Sequence, residues 1–321
     1  MSEQAKLSVQ PARAVESAGV VESAGVVDDP DQVALRPRDV QFDWAKLPMH
    51  WVPDDPFTTH LFNVLHLLLP EGERWFVHVF SEALPLIKDE QLAEDVRGFI
   101  GQEAIHAESH QGVLDHFTAH GLDPEPYVGQ VRWLFRKALG DRDFTGRRDA
   151  AKRREEWLVE RAASVAAIEH FTAFLGDLIL NSPGLDAAHT DPTMLDLLRW
   201  HGAEEVEHRA VAFDLFQHLD GRYSRRIRPM LVVAPGMAAM WLLGLRFLMA
   251  NDPTGRRRPR LRDAIRARRR YGLPGLWKVF RLVTPYLRRG YHPSQFGSTS
   301  QAVAYLATSP AAMAADERAG R

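Results

Sequence analysis

Two Glu-x-x-His pairs constrain this chain more than any other feature of its sequence. Glu103 precedes His106 in "FIGQEAIHAESHQ", and Glu205 precedes His208 in "WHGAEEVEHRA". Residues three apart lie on the same side of an α-helix, so each pair places a carboxylate and an imidazole together. One such pair is common on helix surfaces. The same pair on two helices indicates a shared site.

The sequence around these pairs is helical. From about residue 57 it contains long stretches rich in Leu, Ala, Glu, Arg and Phe, with few alternating β-branched runs. We predict a linking helix near 127–140 and four main helices, at 60–87, 89–121, 157–180 and 191–221. Pro70 either begins a new helix or kinks the first one. Gly121 is expected to end the second helix, and Asp191 with Pro192 to begin the fourth.

The two remaining main helices each contribute one acidic residue. Glu73 lies in "PEGERWF", and Glu169 lies in "AAIEHFTAF". A carboxylate among the apolar neighbours of Glu169 is costly to bury unless it has a partner. Four carboxylates and two neutral imidazoles balance about four positive charges, so two divalent cations would supply that partner. The alternative is a helical bundle with buried Glu–His hydrogen bonds and no metal.

The stretch from about 57 to 220 resembles the ferritin-like di-iron carboxylate family called predicted metal-dependent hydrolases. The resemblance rests on "PEGERWF", "FIGQEAIHAESH", "AIEHFTA" and "WHGAEEVEHRAVAFD". It implies an all-α fold, a ferritin-like four-helix bundle, followed here by a C-terminal helical extension that is basic and apolar. Such bundles take one Glu from each of two helices and a Glu-x-x-His pair from each of the others. The ligand set is also similar to that of di-iron arylamine N-oxygenases, in which an additional histidine matches His201.

We predict no catalytic residue beyond the metal ligands and no separate cofactor-binding residue. The predicted metal-site residues are Glu73, Glu103, His106, Glu169, Glu205, His208, His201 and His110. Glu103 and Glu205 are expected to bridge two ions, and Glu73 and Glu169 to bind one ion each.

The histidines divide into two kinds. His106 and His208 are expected to give one imidazole to each ion. His201 and His110 continue the same helical stripes, and each is a candidate either for an extra ligand or for a hydrogen-bond partner of a ligand. His170, which points about 100° away from Glu169, is expected to lie outside the site.

Two further acidic residues near the predicted ligands have conditional roles. Glu204 lies four residues before His208, where it is predicted to orient that imidazole unless it faces solvent. Glu71 is the fallback ligand if Pro70 rotates the first helix.

The ligand set leaves the reaction open. The predicted cofactor is two iron ions, with manganese as the other candidate. Our first hypothesis is O₂-dependent oxidation of an organic, hydrophobic substrate, with electrons from an external donor. The alternative is a metal-dependent hydrolase in which a metal-bridging hydroxide attacks an ester, amide or phosphoryl group. Metal storage or a membrane-associated scaffold is the non-enzymatic alternative. The chain has no cysteine, which excludes thiolate ligands and a cysteine nucleophile.

The C-terminal third carries most of the positive charge. Residues 222–289 contain 18 Lys or Arg against Asp252 and Asp263, a local net charge of +16. Within them, 230–250 is apolar apart from Arg246, and it is either a buried core helix or an in-plane or re-entrant membrane element. Because the arginines adjoin an apolar segment, an anionic membrane surface over 222–290 is favoured as partner over nucleic acid.

The predicted domains are a disordered leader at 1–45, a di-metal helical bundle at 46–221, the basic and apolar extension at 222–308, and a flexible tail at 309–321. The leader contains the duplicated "VESAGV" and few large apolar residues. We read no secretory signal at the N-terminus and expect a cytoplasmic protein, peripheral to the inner face of the membrane. The oligomeric state is not predicted.

Overall fold

The structure is a computed structural model and describes residues 33–145, 148–255 and 258–320. These ranges contain helices and no strand, which confirms the predicted all-α class. The helices are α1 Pro56–Ala83, α2 Glu90–Ala119, α3 Glu125–Trp133, α4 Ala150–Leu180, α5 Pro183–Ala187, α6 Pro192–His208, α7 Val211–Leu219, α8 Tyr223–Asn251, α9 Leu261–Tyr271, α10 Leu276–Tyr286, α11 Thr299–Leu306 and α12 Pro310–Ala319.

Three of the four main helices, α1, α2 and α6, begin at an aspartate that caps the first turn. Asp191 accepts hydrogen bonds from the Thr193 and Met194 backbone amides, and Pro192 occupies the first helical turn, as predicted. The end of α2 also follows the prediction. Gly121 adopts a φ of +85° just beyond the last turn, in the left-handed region that favours glycine.

α1 continues through Pro70, so of the two predicted alternatives no new helix begins there. Two other main helices differ from their predicted extent. α4 begins at Ala150 and not at the predicted 157. The predicted fourth helix is divided into α6 and α7, with a turn at Arg209 and Ala210. At this break the buried guanidinium of Arg209 donates to the Val206 carbonyl and, over 2.8 Å, to Thr299 Oγ1. A side chain thus satisfies a carbonyl at the helix end.

The helices that carry the predicted ligands pack as α1 on α2 and α4 on α6, with further contacts of α1 with α4 and of α2 with α6. α4 and α6 meet at two glycines. A Cβ on Gly176 would lie 2.4 Å from the Gly202 carbonyl oxygen, so only glycine allows this approach. The close contact brings the Glu169 and Glu205 helices together. This packing fits a helical bundle, and its ferritin-like character stays a prediction.

Residues 33–45, which we assigned to the disordered leader, lie against α2, and the leader prediction is corrected for these residues. Leu35 and Pro37 fill space above two glycines: a Cβ on Gly98 would lie 2.5 Å from Leu35 Cβ, and one on Gly101 would lie 2.2 Å from Pro37 Cγ. Val40 is buried in the main core. The leader residues before 33 lie outside the described residues.

The predicted flexible tail also needs correction over its described part. Ser309 caps α12 by accepting from the Ala312 amide, and Asp196 on α6 accepts from Ser309 Oγ at 2.8 Å. Ala311, Ala312 and Ala315 are buried against the main core. The tail is therefore a docked helix whose capping signature, Ser-Pro, was already present in the sequence.

Candidate metal centre

The four residues of the two Glu-x-x-His pairs meet Glu73 and Glu169 in the interior. Among the described residues, two buried groups offer ligand atoms that all lie within 4.8 Å of one another. One group is Glu73, His106, His201 and Glu205, and the other is Glu103, Glu169 and His208. α1, α2, α4 and α6 thus each send at least one ligand-type side chain inward. We call these residues the metal centre.

Two carboxylates connect the groups. Glu205 Oε1 lies 3.7 Å from His106 Nδ1, and Glu205 Oε2 lies 3.5 Å from His208 Nε2. Glu103 Oε1 lies 3.2 Å from His208 Nε2, and its Oε2 lies 3.9 Å from His106 Nδ1. Each carboxylate therefore faces both imidazoles with different oxygens, which is the arrangement that a pair of bridging ligands requires.

The centre is rich in buried atoms that lack a hydrogen bond. In the described part of the chain these include both carboxylate oxygens of Glu73, Glu103 and Glu169, together with Glu205 Oε2, His106 Nδ1 and His208 Nε2. Buried polar atoms are normally paired, because an unpaired one loses its hydration without compensation. Oxygen and imidazole nitrogen donors are those that divalent iron, manganese and zinc accept. The residues present therefore fit metal ions.

The shifted pKa values of the buried carboxylates and of His208 also favour a positive charge in the metal centre. Burial, reinforced by the nearby carboxylates, holds the pKa of Glu73 and of Glu103 well above the ordinary range. Burial and the charge of Glu205 raise the pKa of Glu169 to about 7. Burial lowers the pKa of His208, but Glu205 and Glu169 outweigh it and raise that pKa to about 10. A cation at this position would replace the protons that these shifts demand.

The hydrogen bond of His106 corrects our prediction for Glu204. Glu204 Oε2 lies 2.9 Å from His106 Nε2, so Glu204 orients His106 and not His208. The carboxylate accepts the Nε2 proton and leaves the Nδ1 lone pair directed at Glu103 and Glu205. The physical reason is that α6 packs on α2, which places Glu204 across the helix interface from His106.

A different residue orients His208. Gln102 Oε1 lies 3.1 Å from His208 Nδ1 and accepts its proton, which leaves Nε2 directed at the carboxylates. Both orienting residues connect to Arg38, in the segment against α2. Arg38 lies 2.6 Å from Glu204 and 3.1 Å from Glu207, and Glu207 in turn accepts from Gln102. Sequence reasoning missed Gln102 and Arg38. The position of Gln102 directly before Glu103 was its one signal in the sequence, and Arg38 had none.

His201 and His110 occupy successive positions in a chain of imidazoles. His201 Nε2 lies 2.7 Å from Glu205 Oε1 and 3.5 Å from Glu73 Oε1, within the first group. His110 lies one ring further out, with its Nε2 2.8 Å from His201 Nδ1. Its Nδ1 lies 2.7 Å from His66 Nδ1. His110 therefore contacts His201 and His66 and not the carboxylates of the centre.

Glu71 and His170 lie elsewhere. Glu71 forms ion pairs with Arg132 at 2.9 Å and Arg136 at 3.1 Å and is not part of either buried group, so it does not serve as the fallback ligand. His170 is outside the two groups, as expected, with its Nδ1 2.8 Å from the Tyr291 hydroxyl and its Nε2 donating to the Leu282 carbonyl.

Two other clusters of metal-ligand residue types occur in the described ranges. His78, Glu82 and Asp141 are exposed, and Arg161 forms ion pairs with both acidic residues. The other cluster is His50, His60 and Asp252, which we call the Asp252 clamp. Asp252 Oδ2 lies 2.7 Å from His50 Nε2 and 3.0 Å from His60 Nε2.

A comparison with known protein families matches residues 36–297 to a family model described as predicted metal-dependent hydrolase. No curated protein and no solved structure matches the chain. The family match contradicts our first functional hypothesis, O₂-dependent oxidation, and agrees with the alternative, hydrolysis. The error arose because carboxylate and imidazole ligands serve both chemistries. Since the match covers well over half of the sequence, the chain belongs to the family of predicted metal-dependent hydrolases.

Proposed function

We propose that this protein is a hydrolase that works with two divalent ions held between α1, α2, α4 and α6. The observation that carries the proposal is the pair Glu103 and Glu205, each of which directs separate oxygens toward His106 and His208. Membership of a metal-dependent hydrolase family supports the reaction class. Iron is the ion that we propose, with manganese as the other candidate, because the donors are carboxylate and imidazole.

The ligand assignment follows the two buried groups. Glu73 and His106 would hold one ion, Glu169 and His208 would hold the other, and Glu103 and Glu205 would connect the two. His201 either completes the first ion's ligands or holds Glu205 Oε1 through its 2.7 Å hydrogen bond. His110, in contact with His201 but not with a carboxylate, positions His201.

Bound divalent ions supply a polarised substrate oxygen and a water of lowered pKa, which is the chemistry that ester, amide and phosphoester hydrolysis needs. The protein's own part is orientation and exclusion of bulk water. Glu204 and Gln102 keep the protons of His106 and His208 on the nitrogens that face away from the ions. Burial of all six carboxylate and imidazole residues keeps competing water out, which strengthens electrostatic interactions with the substrate.

The test separates metal-dependent hydrolysis from other metal chemistry. Metal-free protein is loaded under argon with Fe(II), Mn(II) or Zn(II), and the number of metal ions bound per chain is measured by elemental mass spectrometry. Hydrolysis of a panel of esters, amides and phosphoesters is then measured with and without chelator. We expect chelator-sensitive hydrolysis that Glu205→Ala abolishes and His170→Ala retains.

Two outcomes would overturn the proposal. The first is hydrolysis that survives both chelator and Glu205→Ala, which would place the activity elsewhere. The second is a fully loaded protein that hydrolyses nothing in the panel under argon but consumes O₂ when a reductant is supplied.

A further inference from the structure

The outer side of α8 is an apolar stripe. Its exposed residues between 231 and 243 recur every three or four positions and carry no charge: Leu231, Val232, Pro235, Ala238, Ala239, Leu242 and Leu243. Val232 is 72% exposed and Leu242 is 61% exposed. At 1.5 Å per residue the stripe is about 18 Å long. A contiguous apolar face of this size on a soluble surface indicates a binding surface.

The inner side of α8 packs on the rest of the protein. Gly244, Leu245 and Leu248 are buried. The Tyr127 hydroxyl donates to the Met240 carbonyl at 2.6 Å, and Trp241 Nε1 donates to the Leu61 carbonyl at 3.1 Å. By length and hydropathy α8 is long enough to cross a membrane, yet its contacts with α1 and α4 cover one side. A helix held in this way offers only its outer face to lipid.

α4 is also long and apolar enough to cross a membrane, but it differs from α8 in how much of its apolar surface is buried. In α4, which carries Glu169, 44% of the apolar window is buried in the protein, whereas in α8 only 17% is buried. The apolar residues of α4 are thus used in the core. Those of α8 are largely unused by the described part of the fold.

Positive charge borders the stripe. α8 contains no Asp or Glu, and Arg246 follows the stripe on the same exposed side. Beyond the end of α8, a cleft of about 920 Å³ is lined by Met249 and Ala250 together with Arg258, Arg260, Arg262 and Arg266. The start of α9 therefore places several guanidinium groups beside the apolar helix. Asp54, Asp55 and Asp263 also line this cleft.

We propose that the outer face of α8 and the arginines at the start of α9 form a peripheral binding surface for an anionic lipid bilayer. The stripe enters the boundary between headgroups and acyl chains, with the helix in the plane of the membrane. The arginines contact lipid phosphates. This surface goes beyond the proposed hydrolysis and does not depend on it.

A second copy of the chain fits the surface less well. Packing two stripes together would gather Arg246 and the α9 arginines of both copies, and α8 has no acidic residue to pair with them. Like charges brought together at an interface oppose association. An anionic bilayer supplies both an apolar interior and negative charge, so it complements both features.

The experiment is flotation of the full-length, metal-loaded protein with vesicles of phosphatidylcholine alone or mixed with phosphatidylglycerol. We expect binding to the mixed vesicles and at least about tenfold weaker binding to the neutral ones. The variant Leu231→Glu with Leu242→Glu should lose at least about tenfold in binding to mixed vesicles. Arg262→Gln with Arg266→Gln should lose about thirtyfold, and high salt should reproduce that loss.

The matched control places the same substitution on apolar residues that are exposed elsewhere, Leu86 and Met313. Leu86→Glu with Met313→Glu should bind vesicles as the unmodified protein does. Circular dichroism and metal content show that each variant is folded. Equal vesicle binding by the stripe variant and the control would overturn the proposal. So would self-association that the stripe variant abolishes, combined with no vesicle binding, since that result assigns the face to a second copy.

Discussion

Asp252 and Glu205 are both buried carboxylates, of which Asp252 faces two imidazoles and Glu205 faces three, but their oxygens are used differently. In the Asp252 clamp, Oδ2 accepts from His50 and His60, and Oδ1 accepts from the Thr254 amide and hydroxyl at 2.8 and 2.7 Å. In the metal centre, Glu205 Oε2 has no hydrogen bond and the same is true of both oxygens of Glu103. Residue types alone therefore do not distinguish a metal site from a hydrogen-bonded cluster. Clustered carboxylate oxygens without a hydrogen bond favour a metal site.

The proton positions of the histidines reinforce the difference. Trp51 Nε1 donates to Asn63 Oδ1 at 2.6 Å, which turns Asn63 Nδ2 toward His60 Nδ1 at 3.4 Å. His60 Nδ1 therefore accepts, and its proton lies on Nε2, where it is donated to Asp252. In the clamp, the imidazole protons are therefore donated to Asp252. In the metal centre, Glu204 and Gln102 each hold one imidazole proton on the outer nitrogen, so the inner nitrogens of His106 and His208 are the ones that face the carboxylates.

The largest expected effect is on metal content. Glu205→Ala removes the carboxylate that faces both His106 and His208, so we expect loss of all bound metal. Asp252→Ala should retain the full metal content, because both oxygens of Asp252 are already used in hydrogen bonds. Elemental analysis of protein loaded with Fe(II) and then desalted measures both. Loss of metal in Asp252→Ala but not in Glu205→Ala would reverse our assignment of the two clusters.

The meeting of the residues of the metal centre could be predicted from sequence because helices have a fixed period, whereas their binding of metal stays a prediction. Spacing of three put each Glu and His on one side of a helix, and Glu73 and Glu169 were candidates among several acidic residues of the remaining helices. The all-α class followed from the same periodicity. The spacing also gave His201 its position beside Glu205, which the structure places 2.7 Å away.

The orienting residues and the Asp252 clamp were not predictable, because they depend on how separate segments pack. Glu204 shares a side of α6 with His208 by spacing, yet the nearest imidazole comes from another helix, α2. The clamp joins His60 to Asp252 across 192 residues. Local pattern carries no information about such contacts. Arg38 was missed for the same reason, since it lies in a segment without regular structure that composition marked as disordered.

The next largest effect concerns the orientation of His106. Glu204→Leu removes the acceptor of the Nε2 proton, so we expect metal affinity to fall by about 10- to 100-fold, as for other partners of metal-bound histidines. Glu204→Gln keeps an acceptor oxygen and should restore most of the affinity. Competition with a chelator of known affinity measures both. Equal loss in the two variants would contradict the hydrogen-bond role and indicate that the charge of Glu204 matters instead.

A smaller effect is a change in the free energy of unfolding that has opposite signs for the two clusters. In metal-free protein the pKa of Glu103 is raised, so folding at neutral pH must either bury its charge or take up a proton. Glu103→Gln removes that cost, so we expect it to raise the free energy of unfolding by about 1–3 kcal/mol. Asp252→Asn breaks existing hydrogen bonds, so it should lower that free energy by a similar amount, about 1–3 kcal/mol. Urea unfolding at neutral pH measures both. A destabilised Glu103→Gln variant would show that the centre is stabilised by internal hydrogen bonds without metal.

The smallest expected effect is a pH dependence of the clamp. Burial lowers the pKa of His60, while the facing Asp252 opposes that shift and the facing His50 adds to it. Burial raises the pKa of Asp252, but hydrogen bonds from His60, Thr254 and His50 outweigh this and hold that pKa below its ordinary range. Below about pH 6.5 the unfolded chain therefore takes up a proton at residue 60 that the folded chain resists.

The stabilisation by a neutral His60 is complete above about pH 6.5 and is lost as the pH falls toward the lowered pKa. Asp252 contributes no change in this range, because its stabilisation persists above about pH 3.9 and is lost only as the pH falls through its lowered pKa. His60→Gln keeps a donor toward Asp252 but cannot titrate. Between pH 6.5 and 4.5 its unfolding free energy should fall less steeply than that of the unmodified protein, by at most about 1.4 kcal/mol per pH unit. Urea unfolding of both metal-free proteins measures the difference, since histidines outside the clamp contribute equally to each. Parallel curves would show that folding does not lower the pKa of His60, and would remove the contrast between the hydrogen-bonded clamp and the metal centre.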